Sequence, residues 1–121
     1  MIRAKIRGMA AGSKFLATDE MDWRPFEDAP GVAFRVLKTH RGSGSGTGVT
    51  LMLRFEPGAS YPAHRHPAGE EYFVLEGELT DGATRYGPGT YVYHPPGSVH
   101  APRSEAGGTV LVFLPEGIQR V

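Results

Sequence analysis

The chain has 121 residues, enough for one domain with a single sizeable core. Its 13 basic and 13 acidic side chains balance, so nothing in its charge predicts binding to nucleic acid or to an anionic membrane. The sequence has no cysteine, which excludes disulfides, thiolate metal ligands and a cysteine nucleophile. No apolar run is long enough for a secretory signal or a membrane span, and we expect a cytoplasmic protein.

Short apolar runs between glycines and prolines predict a series of strands. Residues 2–6 alternate apolar and basic side chains, as an edge strand does, and we interpret residues 1–20 as an N-terminal arm or edge strand. Strands are predicted at residues 32–37 and 49–55, and the glycine-rich stretch 41–48 is interpreted as a flexible loop. This stretch lacks the features of a P-loop or a dinucleotide fingerprint, so we predict no organic cofactor there.

The second half of the chain is punctuated in the same way. Strands are predicted at residues 72–75, 90–93 and 109–114, and Asp81-Gly82 is a signal for a two-residue hairpin loop. No segment shows extended helical periodicity. Short strands at this spacing, with turns between them, are typical of a β-sandwich or barrel. We therefore predict one all-β domain over residues 1–121.

The chemistry of the chain is concentrated around its His-Arg-His segment. His64 and His66 stand two residues apart in extended backbone, so both imidazoles project to one side, roughly 7 Å apart along the chain. A turn over residues 67–69 can return Glu70 toward the same point, and His100 is the natural fourth ligand. The sequence therefore predicts a metal site made of these four side chains.

Three imidazoles and one carboxylate form a borderline nitrogen–oxygen site. Such a site suits one divalent transition metal per chain, with iron, zinc, nickel and manganese as the main alternatives. An octahedral metal would keep two positions open for water, substrate or oxygen, whereas a tetrahedral zinc would have a closed shell. Because ligand histidines must be neutral, we expect binding to weaken as the pH falls toward the imidazole pKa of about 6.5.

Other polar residues are weaker candidates for a role at this site. Glu70 is preferred to Glu71 as the ligand because it needs the shorter turn, which leaves Glu71 as an outer or barrel-mouth residue. Glu71 and His94 are candidates for a catalytic base, and Arg54 and Arg103 for binding a substrate carboxylate or enolate. Apolar and aromatic residues around them predict a pocket for a small organic molecule.

The spacing of these residues resembles the two motifs of the cupin superfamily. The first motif is matched at every position, by Gly58, His64, His66, Glu70 and Gly77. The second is matched by Gly89, Pro95, Gly97 and His100. Ser104 stands where the family usually has Asn, a position that does not bind metal in cupins. The resemblance implies a jelly-roll β-barrel (double-stranded β-helix) with a two-motif metal-binding core at residues 58–104.

Within the superfamily, the chain is most similar to the ChrR-like group, through Glu70-Glu71, residues 74–77 and residues 91–97. More distantly it resembles small cupins of the acetylacetone dioxygenase type. The resemblance implies a metal-dependent dioxygenase acting on a small enolisable compound, either diketone-like or carboxylated. The alternatives are a non-catalytic module that senses or binds a metal or small ligand, and a metal-dependent isomerase or lyase. Cupins are often dimers, and we expect a homodimer.

Overall fold

A computed structural model describes residues 11–41 and 47–121. The strand predicted at residues 2–6 and most of the glycine-rich loop lie outside these ranges. A 3-10 helix (Thr18–Glu20) precedes the strands. The strands are β1 (Arg24–Pro25), β2 (Val32–Arg41), β3 (Thr47–Phe55), β4 (Ala59–Ser60), β5 (His64–His66), β6 (Glu70–Gly77), β7 (Leu79–Asp81), β8 (Thr84–Tyr86), β9 (Tyr91–His94), β10 (Ser98–His100), β11 (Arg103–Ser104), β12 (Gly108–Leu114) and β13 (Gln119–Arg120).

The strands form three antiparallel sheets. The largest has the order β1-β2-β3-β12-β6-β9, and two smaller sheets have the orders β10-β5-β13 and β4-β11-β7-β8. The prediction of an all-β chain is confirmed. Among the described residues, no helix has the length and apolar character needed to cross a bilayer.

Strict alternation decides which side chains of the large sheet form the core. In β6, Tyr72 and Val74 are buried while Phe73 and Leu75 are exposed, because successive strand residues point to opposite faces. The inner residues of β3 and β12 continue this apolar layer, and the smaller sheets add residues such as Leu79. The inner face of the large sheet therefore forms the wall behind the candidate site.

The β7–β8 hairpin differs from its predicted form by one residue. The sequence predicted Asp81-Gly82 as the loop, but Asp81 pairs with Thr84 as the last residue of β7, and the loop is Gly82-Ala83. Gly82 has φ +62°, and every described residue with positive φ is a glycine. The loop therefore fits a turn type that requires glycine at its first central position. Asp81 is therefore a strand residue and not a turn residue.

Candidate metal centre

Strand pairing brings three histidines to one place. β5 and β10 are antiparallel, and their register sets His64 directly opposite His100 and His66 opposite Ser98. Residues that face each other across a strand pair project from the same side of the sheet. The rings of His64, His66 and His100 consequently lie with their centroids 4.6–4.8 Å apart.

A tight turn adds the carboxylate. The amide of Gly69 donates to the carbonyl of His66, closing a turn with Pro67 at its second position. The chain then enters β6 at Glu70, which is buried. One oxygen of Glu70 lies 3.5 Å from His66 Nε2, and the other lies 3.5 Å from His100 Nε2. The structure therefore brings together all four side chains predicted as ligands.

The distances between the four donor atoms suit a transition metal. All of them lie within 4.8 Å of one another, and His64 Nε2 is 3.0 Å from His100 Nε2. Metal–nitrogen bonds of about 2.1 Å place neighbouring donors roughly 3.0 Å apart at right angles and roughly 3.4 Å apart at tetrahedral angles. The observed separations of 3.0 and 3.5 Å match this range.

The outer nitrogen of each imidazole already has a partner. Nδ1 of His64 donates to the carbonyl of Pro62 at 2.9 Å, and Nδ1 of His100 lies 2.7 Å from the carboxylate of Asp81. Nδ1 of His66 lies 2.9 Å from the hydroxyl of Ser98. Because a carbonyl and a carboxylate only accept, the protons of His64 and His100 must sit on Nδ1. In the neutral form that a metal requires, their Nε2 atoms are then lone pairs aimed at one point.

This arrangement is incomplete without a cation. When His64 and His100 are both neutral and protonated on Nδ1, their Nε2 lone pairs repel each other at 3.0 Å. In addition, His66 Nε2 and Glu70 Oε1 are buried with no hydrogen-bond partner. Buried polar atoms without a partner are costly and rare in folded proteins. A metal ion at the common point would satisfy all four atoms at once, so the residues present fit the metal that the motif implies.

Burial sets the protonation of the donors. It lowers the pKa of His64 to about 4 and that of His66 to about 3, and the neighbouring imidazoles add to the effect. Burial also raises the pKa of Glu70 to about 7, although the charge of His100 opposes the rise. At neutral pH, His64 and His66 are therefore neutral, as metal ligands must be.

An apolar cavity opens onto the donors. Its volume is about 170 Å³, and three of the four donor residues line it: His64, Glu70 and His100. The remaining wall is almost entirely aliphatic and aromatic, and includes the side chains of Tyr61 and Tyr72. No lysine or arginine lines it among the described residues. A bound metal would face this cavity.

The other predicted candidates lie outside the cavity. Glu71 is on the outer face of the large sheet, where it accepts a hydrogen bond from Tyr91. His94 lies behind the site, with Nε2 2.8 Å from the carboxylate of Asp81. Arg54 packs over Trp23 on the outer face.

The side chain of Arg103 does not contact the donors either. It forms an exposed ion pair with Glu105. Neither arginine contacts the donor set, so a substrate carboxylate in the cavity would have to be held in another way.

Sequence reasoning missed two residues that hold the ligands. Ser98 was not singled out, although its place two residues before His100 sets it opposite His66 in the strand pair. Asp81 was interpreted as a turn residue. Hydrogen bonds and charges from His100 and His94 outweigh burial and lower the pKa of Asp81 to about 2, so it is ionised at neutral pH.

Comparison with known proteins identifies a family for this chain. Residues 11–118 match the model of the ChrR cupin-like domain family. The chain belongs to this family. The membership covers nearly all of the described residues, including the four donors.

Solved cupins share its architecture. The chain superposes on an acetylacetone dioxygenase from Acinetobacter johnsonii with a TM-score of 0.75 and 14% identity, covering 100% of this chain and 85% of that one. It also superposes on the complex of SigE with the anti-sigma ChrR from Rhodobacter sphaeroides, with a TM-score of 0.65 and 23% identity over 79% of this chain and 49% of that one. At these identities the likeness establishes the cupin jelly-roll fold alone.

A curated relative is more similar in sequence over a shorter segment. The chain is 50% identical over 52 residues to the dimethylsulfoniopropionate lyase DddQ of Ruegeria pomeroyi. The match covers 39% of this chain and 26% of the lyase, so the chain spans about a quarter of that protein's length.

Proposed function

We propose that this cupin is a metal-dependent enzyme whose substrate is a small, largely apolar compound with oxygen atoms that can bind a metal. The observation that carries the proposal is that three of the four donors line the cavity. A purely structural metal would be enclosed by its ligands, whereas a catalytic metal keeps a position open to substrate. The cavity volume of about 170 Å³ is below the ~300–1,000 Å³ of sites for drug-sized ligands, which favours a small molecule.

The reaction we favour is oxygen-dependent cleavage of an enolisable diketone-like compound. A bound ferrous ion would supply Lewis acidity toward the two substrate oxygens and electrons for dioxygen. The chain supplies a fixed, buried donor set and an apolar wall that excludes water and receives the alkyl substituents. One carbon–carbon bond of the substrate breaks, and both atoms of dioxygen are retained in the fragments. Among the described residues no arginine lines the cavity, which favours a diketone over a carboxylic acid.

The test is oxygen uptake by protein that has been loaded anaerobically with Fe(II) and then given 2,4-pentanedione and air. We expect oxygen consumption in step with loss of the diketone, and none in a His64→Ala, His100→Ala double variant loaded in the same way. Stoichiometric iron binding without oxygen uptake across a series of diketones would contradict the dioxygenase proposal.

A lyase is the second candidate, and the cavity wall gives a specific reason for it. Phe26, Phe55, Tyr61 and Tyr72 line the cavity. Aromatic faces attract organic cations, so a sulfonium–carboxylate zwitterion could place its cation there and its carboxylate at the metal. Elimination would remove the proton on the carbon next to the carboxylate and break the carbon–sulfur bond. The products would be a thioether, an acrylate anion and one proton, which passes to water.

Oxygen separates the two reactions. Release of dimethyl sulfide from dimethylsulfoniopropionate under nitrogen would favour the lyase, as the similarity to DddQ suggests. Tight binding of a metal or small ligand with no turnover of either compound would instead favour a sensing module, which is the role implied by the ChrR family.

A further inference from the structure

One carboxylate oxygen in this structure accepts three hydrogen bonds. Asp81 Oδ2 lies 2.7 Å from His100 Nδ1, 2.8 Å from His94 Nε2 and 3.2 Å from the hydroxyl of Tyr72. The Asp81 side chain is about nine-tenths buried, at 8% exposure. A carboxylate buried this far needs partners to offset its desolvation, and these three groups provide them.

The same carboxylate ties the three sheets together at the site. Asp81 ends β7 in the four-stranded sheet, and His100 ends β10 in the three-stranded sheet. Tyr72 and His94 belong to β6 and β9 of the six-stranded sheet. The three hydrogen bonds of Asp81 therefore join all three sheets at the donor cluster.

We propose that Asp81 is the positioning residue of the metal centre: it fixes the tautomer and the ring orientation of His100, so that Nε2 is presented to the metal as a lone pair. This inference rests on the proposed metal site and adds a residue to it that does not touch the metal. Carboxylate partners of this kind raise the basicity of a ligand histidine, and their loss typically weakens metal binding about 10–100-fold.

Replacement by asparagine isolates this role. Asp81→Asn keeps the size and one acceptor oxygen but removes the charge, which weakens a charge-assisted hydrogen bond. The amide nitrogen, when turned toward His100, can only donate, so Nδ1 must accept and the ring proton must move to Nε2. That tautomer cannot bind a metal through Nε2.

The first measurement uses metal-free protein and long-range proton–nitrogen NMR of the histidine side chains. In the wild type we expect His100 as the Nδ1–H tautomer, and in Asp81→Asn a mixture or the Nε2–H form. Asp22→Asn is the matched control, because Asp22 is exposed and belongs neither to the donor cluster nor to the cavity lining. A His100 tautomer that is the same in both proteins would overturn the proposal.

The second measurement is the zinc dissociation constant, obtained by competition with a chromophoric chelator. We expect Asp81→Asn to weaken binding about 10–100-fold with unchanged stoichiometry at saturation, and Asp22→Asn to match the wild type. Asp81→Ala should weaken binding similarly, and thermal melts of each variant show that it is folded. Wild-type affinity in folded Asp81→Asn and Asp81→Ala would overturn the proposal. If the wild type itself bound no metal, the proposed function would fail. The NMR measurement on metal-free protein would still test whether Asp81 sets the tautomer of His100.

Discussion

Glu70 carries much of the pH dependence that we expect at the site. In the metal-free protein, burial raises its pKa to about 7, whereas burial lowers the pKa values of His64 and His66 to about 4 and 3. At pH 6, therefore, Glu70 holds a proton that a metal must displace, and the two histidines do not. The affinity for metal should rise with pH up to about 7 through the loss of this proton.

Calorimetry can count this proton. We predict that zinc binding at pH 6 releases about one proton more from the wild type than from Glu70→Gln, and that the difference nearly disappears at pH 8. The measurement is titration calorimetry in two buffers of different ionisation enthalpy. An equal proton release from both proteins at pH 6 would show that Glu70 is already ionised there.

The choice between two adjacent glutamates can be tested with a matched pair of variants. Glu70 lies 3.5 Å from two ligand nitrogens, whereas Glu71 faces away from the site and bonds to Tyr91. We predict that Glu70→Gln weakens zinc binding by at least about 10-fold and that Glu71→Gln changes it less than about 3-fold. The reverse order in chelator competition would make Glu71 the ligand.

The sequence predicted the residues that have motif spacing, but it did not predict the residue that positions one of them. His64, His66, Glu70 and His100 could be predicted because period-two alternation and a short turn determine where their side chains point. Asp81 could not, because Asp-Gly is a strong turn signal and its displacement by one residue changes the side chain from loop to interior. The signal that remains is weak: an acidic residue at the end of a strand beside a glycine.

At the scale of elements, the turn over residues 67–69 determines where Glu70 lies. Gly69 has φ +88°, and a Cβ on it would lie 2.8 Å from the carbonyl oxygen of His94. Gly89 has a similar φ of +86° but open space around it. Alanine substitutions at these two glycines therefore separate the effect of backbone strain from the effect of displacing the turn.

We predict that Gly69→Ala and Gly89→Ala both lower the free energy of unfolding, by about 1–2 kcal/mol for the left-handed conformation alone. Only Gly69→Ala should also weaken zinc binding, because its methyl group pushes the turn away from β9 and moves Glu70. Chemical denaturation and chelator competition measure the two effects. An unchanged zinc affinity in Gly69→Ala would mean that Glu70 is positioned by β6 alone.

The elements themselves were predicted well where alternation or a continuous apolar run was long. The strands at β3, β6 and β12 follow the predicted runs, since burial of one face requires their pattern. Two-residue strands such as β4 and β11 have too few residues to show a period. The division into three sheets depends on pairings between distant strands, which no local pattern records.

At the scale of the molecule, the outer face of the large sheet exposes several large apolar side chains. Strand pairing places one row of side chains side by side across five strands: Arg35, Met52, Leu111, Phe73 and Tyr91. Phe73 and Tyr91 are 39% and 57% exposed. Arg35 Nε is buried there with no hydrogen-bond partner. Contiguous apolar surface of this kind usually marks an interface.

We expect a second copy of the chain to cover this face. A two-fold axis parallel to the strands and close to β12 would set β3 of one copy over β6 of the other. Arg54 and Glu76 both pair with Thr109 of β12, so Arg54 of one copy would meet Glu76 of the second copy. Five strands about 4.8 Å apart and eight residues of about 3.4 Å give roughly 650 Å² per copy. Specific interfaces bury about 1,200–2,000 Å² in total, so this area is sufficient.

Charge reversal tests this pairing. We predict a dimer in analytical ultracentrifugation, weakened about 10-fold or more by either Arg54→Glu or Glu76→Arg and restored by combining them, because the pair is complementary across the axis. A Glu105→Arg variant, on an exposed residue away from this face, is the control. A monomeric wild type at working concentration would contradict the homodimer.

Metal content per chain tests most directly whether His64, His66, Glu70 and His100 hold a transition metal. The protein would be purified anaerobically without chelators, reconstituted at pH 8, dialysed and analysed by mass spectrometry. We predict about one metal per chain in the wild type and almost none in a folded His64→Ala, His100→Ala variant. A folded wild type that holds no metal after reconstitution, or a double variant that holds as much as the wild type, would contradict this prediction.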